Sequence, residues 1–458
     1  MTTNLDYDLQ RRVLLTSSLG IRDYWAMTVL YGAYPNAPFS ILHDAPHTLT
    51  RTKSLHFPAG TSFSYSNVNF HVLGRLVERV SGHSLSQLLA ERVFIPAGMS
   101  TAELQPNTAG HPLPIVGYEG DEKRGFYPAE NRIEWSGDAG IVASLEDMIA
   151  YEKYLERTYS DPDSNYSELL QPVMYRDGTP ALYHRGLFKV EVGGKMTWGH
   201  SGGLRGFRLQ RVHVPSEHVS VIVLFNHEAA VGAAAESILK KAFGVQEPKV
   251  DPAAAATTVK KVPEQWKGAW LDEKTQMLIR GEVNDKGELL INVAGNEKMT
   301  LKDEKNAECK TMTARLEEDG ETLHIYRIRD HYHYNAKRLT KSAKDESQKA
   351  EAAAAAVLEP KNKDYAGSYS CEEVDSTFHC SGDGGMMYGY FEGFLGKGPI
   401  HTMSYVAEDV WVLHCPRSMD APAPGDWTVV FKRGSDGKLA GVTISCWLAR
   451  KLEYVRLS

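Results

Sequence analysis

Two short motifs in the first half of the chain carry the side chains best suited to chemistry, Ser64-Tyr65-Ser66-Asn67 and His200-Ser201-Gly202-Gly203. A phenol and an imidazole move protons. A carboxamide holds an amide by two-way hydrogen bonding, and paired glycines let a backbone N–H approach a substrate oxygen. Together these groups suit attack on a carbonyl carbon. A serine hydroxyl is a weak nucleophile at neutral pH, so such a site also needs a base beside its serine. A metal is the poorer reading. His331 and His333 are expected on one strand face with His324 nearby, but no carboxylate is arranged with them, so solvated strand histidines are expected, with no metal and no cofactor.

The elements that position these motifs follow from periodicity. Val68, Val72, Leu73, Leu76, Val77 and Val80 have helical spacing, and Gly82 ends that helix. Ser84-Leu85-Ser86-Gln87 predicts a capping box, and Ser144-Leu145-Glu146-Asp147 caps a further helix through Tyr154. Lys195–Trp198, Phe207–Val214 and Val219–Phe225 read as consecutive strands of one antiparallel sheet. Gly199-His200-Ser201-Gly202-Gly203 also fits Gly-x-Ser-x-Gly, the nucleophile elbow of α/β-hydrolases. An esterase using Ser201 is thus an alternative, but the elbow needs a following helix, and Leu204–Val212 alternates like a strand.

Composition sets the frame. A chain of 458 residues exceeds one ordinary core, so two or three domains are expected. A net charge of −7 gives no electrostatic footprint for nucleic acid or an anionic membrane. No apolar run approaches a membrane span, and Met1–Asp6 lacks the basic start and apolar core of a signal peptide. Five cysteines without metal or disulfide spacing suggest a reducing, cytoplasmic setting. Cys371 and Cys380 could face each other across a hairpin, but a disulfide is not expected there.

Low-complexity stretches at 248–262 and 341–361 read as linkers, the second as a semi-rigid helical spacer around Ala352–Ala356. They divide the chain into 1–247, which mixes helices and strands, 263–340 and 362–458. The last two open alike, Trp266-Lys267-Gly268-Ala269-Trp270 and Tyr365-Ala366-Gly367-Ser368-Tyr369. Both end on a basic residue and leucine, Arg338-Leu339 and Arg456-Leu457. Short alternating strands broken by Gly and Asp turns predict two related antiparallel β-barrels of roughly 80 to 100 residues each.

Tyr65-Ser66-Asn67 and His200-Ser201-Gly202 resemble two of the three elements of the penicillin-recognising serine hydrolases. The third is Ser-x-x-Lys on a helix. Gly20–Trp25 and Trp135–Ser144 resemble further segments of that β-lactamase-like fold. Phe391–Lys397, Arg417–Gly425 and Cys446–Arg450 resemble the bacterial D-stereospecific aminopeptidases, in which two β-barrels follow the catalytic domain. The similarity runs from about Leu19 to the C-terminus. It implies an α+β chain: a serine β-lactamase-like domain, truncated at its N-terminus, followed by two small antiparallel β-barrels.

The resemblance implies release of a small N-terminal D-residue, such as D-alanine, from peptides and amides through an acyl-enzyme. Tyr65 would relay the proton, Asn67 would hold the substrate amide and the base, His200 would orient them, and Gly203 would supply an oxyanion donor. Ser201 and Gly202 would line the substrate. The loop 417–426, with Arg417, Ser418, Met419 and Asp420, would reach back into the cleft, Asp420 facing the substrate ammonium. Ser435-Asp436-Gly437-Lys438 has the Ser-x-x-Lys spacing but reads as a hairpin turn. The nucleophile Ser and Lys are therefore read as absent, the family's first segment lying before Met1. The expectation is an inactive enzyme, with a non-catalytic ligand-binding homologue as the alternative. The partners expected are a small peptide or amino-acid amide, no nucleic acid and no membrane, with a homodimer admitted.

Overall fold

Alternation along Lys195–Phe225 produces the sheet that carries His200. A computed structural model of the chain describes residues 14–107, 115–245, 261–339, 364–383, 386–420 and 424–457. In it, β1 (Tyr183–His184), β2 (Leu187–Val192), β3 (Lys195–Leu204), β4 (Phe207–Val214) and β5 (Val219–Phe225) form an antiparallel meander. Val212, Val214, Val221 and Val223 point to one face and pack on Val231, Ala235 and Leu239 of a C-terminal helix, Val231–Ala242. The opposite face is polar. There Arg211 pairs with buried Glu152 of the helix Leu145–Tyr159, and Ser220 Oγ donates to the same carboxylate at 2.6 Å. Ser144 and Asp147 form the expected capping box, but that helix runs five residues past the predicted Tyr154 to Tyr159.

Four helices frame the sheet: α1 (Tyr24–Leu30), α2 (Asn67–Ser81), α3 (Leu145–Tyr159) and α4 (Val231–Ala242). Gly82 ends α2 in the left-handed conformation, as its sequence predicts. The buried face of α2 differs from the apolar stripe. Val68, Asn69, His71 and Gly74 are buried, whereas Val77 and Val80 are exposed. The cause is backbone approach: a Cβ on Gly74 would lie 3.0 Å from the Cα of Gly137, so the small residue and not the valines sets the contact. Ser84 accepts from Gln87 N, but the Gln87 side chain turns to Glu91, so only half of that box forms.

Residues 268–338 close into an eight-stranded barrel, with Trp266 and Trp270 fully buried inside it. Residues 367–456 form a second barrel, closed by pairing of Ser376–Asp383 with Met386–Gly393. The matching openings and endings are matching parts. Arg338 Nη2 and Arg456 Nη2 donate to the carbonyls of Gln265 and Ala366, and Leu339 N and Leu457 N donate to Ala269 O and Ser368 O, each at 2.8 Å. All five cysteines are free. Cys371 lies opposite Ser376 and Cys380 opposite Gly367, at different positions of one ladder. The linker readings at 248–262 and 341–361, including the helical spacer, lie almost wholly outside the described residues.

Helix α1 joins two cores. Tyr24 and Trp25 pack in the first domain against Phe39, Val68 and Trp135, while Ala26, Met27, Val29 and Leu30 belong to the core of the second barrel. All seven residues are buried, which explains how so short a helix persists. No helix among the described residues is long and apolar enough to cross a membrane.

Candidate active site

Tyr65 lies on the loop entering α2, and Asn67 is the first residue of that helix. The Ser66 side chain does not cap it. Asp23 does so instead, its Oδ1 accepting from Asn67 N at 2.8 Å and from Asn67 Nδ2 at 3.0 Å. Burial raises the Asp23 carboxyl to about 6, the two Asn67 hydrogen bonds oppose this, and the charge of Asp138 adds to it. Asp138 also stands at about 6. Burial is again the main cause, opposed by the hydrogen bond from Tyr24 OH and the N–H of Ser136. The sequence reading assigned Asp23 and Asp138 no role, although both sit in the segments Gly20–Trp25 and Trp135–Ser144 that it singled out.

His200 faces Tyr65 from β3, with ring centroids 5.8 Å apart. It is enclosed by Tyr183 and Phe188, at 5.7 and 5.5 Å. Its Nδ1–H donates to Ser201 O, because a carbonyl can only accept. Nε2 is then the acceptor for Tyr183 OH at 3.2 Å. Burial lowers its pKa, the Ser201 carbonyl opposes this, and the charge of Arg329 lowers it further. His200 is therefore a neutral, fixed group at pH 7 whose Nε2 partner is Tyr183, a residue the sequence reading missed. Tyr65 itself has its pKa raised, first by burial and then by the charges of Asp23, Asp138 and Asp420, with Arg329 opposing. Arg329 comes from the first barrel and stacks 4.9 Å over Phe188. The main-chain carbonyl of its neighbour Asp330 accepts from Phe63 N at 2.8 Å, so this barrel backs the Tyr65 loop. A polar turn between two barrel strands gave no signal for that role.

Period-two alternation separates the residues of the second motif. Ser201 is exposed and lies on the sheet face opposite His200. It therefore does not share the face on which His200 meets Tyr65. Nor is it an elbow nucleophile, since β3 continues through Arg205-Gly206 into β4 and no helix follows. Strand β2 pairs β3 only from Lys195 to Gly199, so among the described strands the segment His200–Leu204, with Gly202 and Gly203, has one edge free. An open edge can take an extended substrate backbone.

The loop beginning at Arg417 does reach the first domain. Met419 is buried in the core of Tyr24, Trp25 and Trp135, and Ser418 Oγ donates to Asp420 O at 3.0 Å. Arg417 is a strut and not a wall of the cleft. Its Nη2 pairs with Glu119 and Glu228 at 2.9 and 3.1 Å, and these glutamates also hold Arg205 and Arg208. Asp420 comes close enough for its charge to raise the pKa of Tyr24, Tyr65 and Asp138. Asp23 and Asp138 thus stand buried beside Tyr24 and Tyr65, within reach of the charge of Asp420.

The sequence holds a second Ser-x-x-Lys, Ser237-Ile238-Leu239-Lys240. It lies on α4, with Ser237 exposed and Lys240 paired to Glu236. That helix covers the valine face of the sheet, opposite His200. Ser435–Lys438 forms the hairpin turn expected, with Gly437 left-handed. Neither serine reaches the cleft. Two of the three histidines do have carboxylate partners, contrary to expectation: His331 meets Asp177 and His324 meets Glu317, both at 2.8 Å. His331 also sits in a turn, left-handed, outside the strand Tyr332–Arg338 that holds His333. Among the described residues no cluster of three His, Cys, Asp or Glu could hold a metal.

Comparison with known proteins agrees with this layout. Residues 10–243 match the beta-lactamase family model, and residues 259–455 match the model of D-aminopeptidase, domain B. The chain is 42% identical over 447 residues to the D-aminopeptidase of Brucella melitensis biotype 2, covering 97% of this chain and 81% of that protein. It is 40% identical to the D-aminopeptidase of Brucella anthropi, covering 97% and 80%. Similar solved structures include the octameric penicillin-binding protein homologue from Pyrococcus abyssi, at 16% identity, 71% and 77% coverage and TM-score 0.45. The D-amino acid amidase from Ochrobactrum anthropi SV3 with D-phenylalanine is another, at 16% identity, 52% and 72% coverage and TM-score 0.41. The chain belongs to the serine-type D-aminopeptidase family, with a β-lactamase-like domain followed by two β-barrels.

Proposed function

We propose that the cleft between Tyr65 and His200 receives the N-terminal D-residue, small as in D-alanine, of a peptide or amino-acid amide for acyl transfer. The observation that carries this is a pair of buried carboxyls at the head of α2, Asp23 holding Asn67 and Asp138 accepting from Tyr24 OH, with the charge of Asp420 acting on Tyr65 and Asp138. Burial chiefly, and neighbouring like charge in addition, keep these carboxyls from ionising, and a substrate ammonium favours their charged form. Asn67, fixed by Asp23, would hold the substrate amide. Tyr65 would relay the proton toward the leaving nitrogen, and its position beside neutral His200 supports this. Gly203 on the open edge of β3 would donate to the oxyanion. The five free thiols support residence in a reducing, cytoplasmic compartment.

Neither Ser-x-x-Lys reaches this cleft. The 458-residue chain, assayed alone, is therefore expected to bind D-alanine amide without releasing ammonia. Turnover abolished by Ser237→Ala or Ser201→Ala would overturn that expectation. Binding tests the ammonium reading directly. A charge-assisted contact contributes roughly 1.5 to 3 kcal/mol, or about ten- to a hundredfold in affinity. Asp420→Asn should weaken D-alanine amide by that factor and leave N-acetyl-D-alanine amide unchanged in calorimetric titration. Equal losses for both ligands would make Asp420 structural.

A further inference from the structure

A cavity of about 600 Å³ lies where the three domains meet, and neither Tyr65 nor His200 lines it. The first domain contributes Arg22 and His56, the first barrel Lys274, and the second barrel Glu373, Arg450 and Lys451. Arg450 is only 2% exposed. Its Nε donates to Trp447 O at 3.4 Å and its guanidinium stacks 4.8 Å from the Tyr332 ring, but its Nη1 is buried without a hydrogen-bond partner. Both ring nitrogens of His56 are likewise buried and unpartnered.

The carboxylates of the wall are already engaged. Glu373 Oε1 pairs with Arg22 at 2.8 Å and accepts from Ser54 Oγ at 2.6 Å, and Asp177 holds His331 at 2.8 Å. Among the described residues no carboxylate lies within ion-pair distance of Arg450, and Lys274 and Lys451, exposed at the rim, are unpaired as well. Lys451 also adopts a left-handed backbone, at φ 54°. The wall therefore holds three cations without a carboxylate partner, Arg450, Lys274 and Lys451, beside two carboxylates that are both taken. A buried guanidinium without a counter-ion is strongly unfavourable, and the fork of its N–H groups matches tetrahedral oxyanions.

We propose that this junction is a binding site for a small dianion of the phosphate class, with Arg450 as its buried donor and Lys274 and Lys451 at its mouth. The ligand is inorganic phosphate or a phosphate monoester whose remaining part fills the rest of the cavity. Because the walls come from all three domains, occupancy ties them together and raises the thermal stability of the folded chain by mass action.

Thermal unfolding and calorimetric titration at constant ionic strength test this, with phosphate, glycerol 3-phosphate and chloride as titrants. Saturable binding and a rising Tm are expected with phosphate or the monoester and not with chloride. Tighter binding of the monoester identifies the esterified ligand, and equal binding identifies free phosphate. Arg450→Met should abolish the effect. If that variant fails to fold, Lys274→Ala with Lys451→Ala, both on exposed side chains, decides the question and should weaken binding about tenfold. Absence of saturable binding, or wild-type affinity in every folded variant, would overturn the proposal.

Discussion

Asp23 shows how one side chain links structure to pH. Its carboxyl titrates near 6 in the folded chain against an ordinary value of 3.8, chiefly because it is buried. A carboxyl raised in this way favours the folded state while protonated. Its contribution is complete below about 4 and is lost as pH rises from 4 to 6. Asparagine keeps an acceptor for Asn67 and removes the titration. Asp23→Asn should therefore match the parent near pH 4 and exceed it above pH 6, by up to about 3 kcal/mol for a carboxyl raised from 3.8 to about 6. Urea denaturation across that range measures it, and a constant difference at every pH would mean that Asp23 does not titrate as described. The same titration governs recognition. An ammonium ligand should bind more tightly as pH rises through 6, while an acetylated one should not respond.

At the scale of elements, α2 is held by contact with the Trp135–Ser144 segment. A Cβ on Gly137 would stand 2.2 Å from Phe70 O, a backbone atom that cannot swing aside. Gly137→Ala must push α2 away from Asp138, and overpacking of this kind costs about 1 to 3 kcal/mol. The expected result is lower stability together with weaker binding of D-alanine amide, since Asn67 and Asp138 move apart. Gly82→Ala, at the left-handed end of the same helix and with open space around it, should cost less and leave binding intact. If Gly137→Ala binds normally, the helix does not set the cleft.

At the scale of the molecule, the second barrel grips the first domain through glycines. A Cβ on Gly32, which is left-handed, would lie 2.0 Å from Gly396 O, and one on Gly393 would lie 2.9 Å from Tyr31 Cα. Leu395 N donates to Tyr31 O at 3.0 Å. Gly32→Ala should therefore unseat the hairpin at Phe391–Lys397 and loosen the second barrel's core, which Phe391 and α1 share, while sparing the first barrel. Calorimetry should show the first barrel unfolding near its parental temperature and the first domain earlier, together with the second barrel. A single unshifted transition would mean that the contact does not couple the domains. Arg417→Met should act on the same docking from the cleft side, weakening ammonium binding by loosening the loop that carries Asp420 and leaving the acetylated ligand unaffected.

The sequence by itself determined what repeats locally. Alternation over 195–225 named the strands of the sheet, Ser144 and Asp147 named a helix start, and the paired openings and Arg-Leu endings named two related barrels. Tyr65, Asn67 and His200 were legible because short motifs mark the bends and strands where such side chains project. The tertiary structure decided which neighbours those residues meet. Asp23 and Asp138 come from segments more than a hundred residues apart, Arg329 and Asp420 come from separate barrels, and Tyr183 takes the Nε2 of His200. No local pattern encodes such meetings, because burial and charge act through space. The same physics turned Ser201 to the face away from His200, since a strand turns alternate residues to opposite faces, and left Ser237 on the other side of the sheet despite its helical spacing to Lys240.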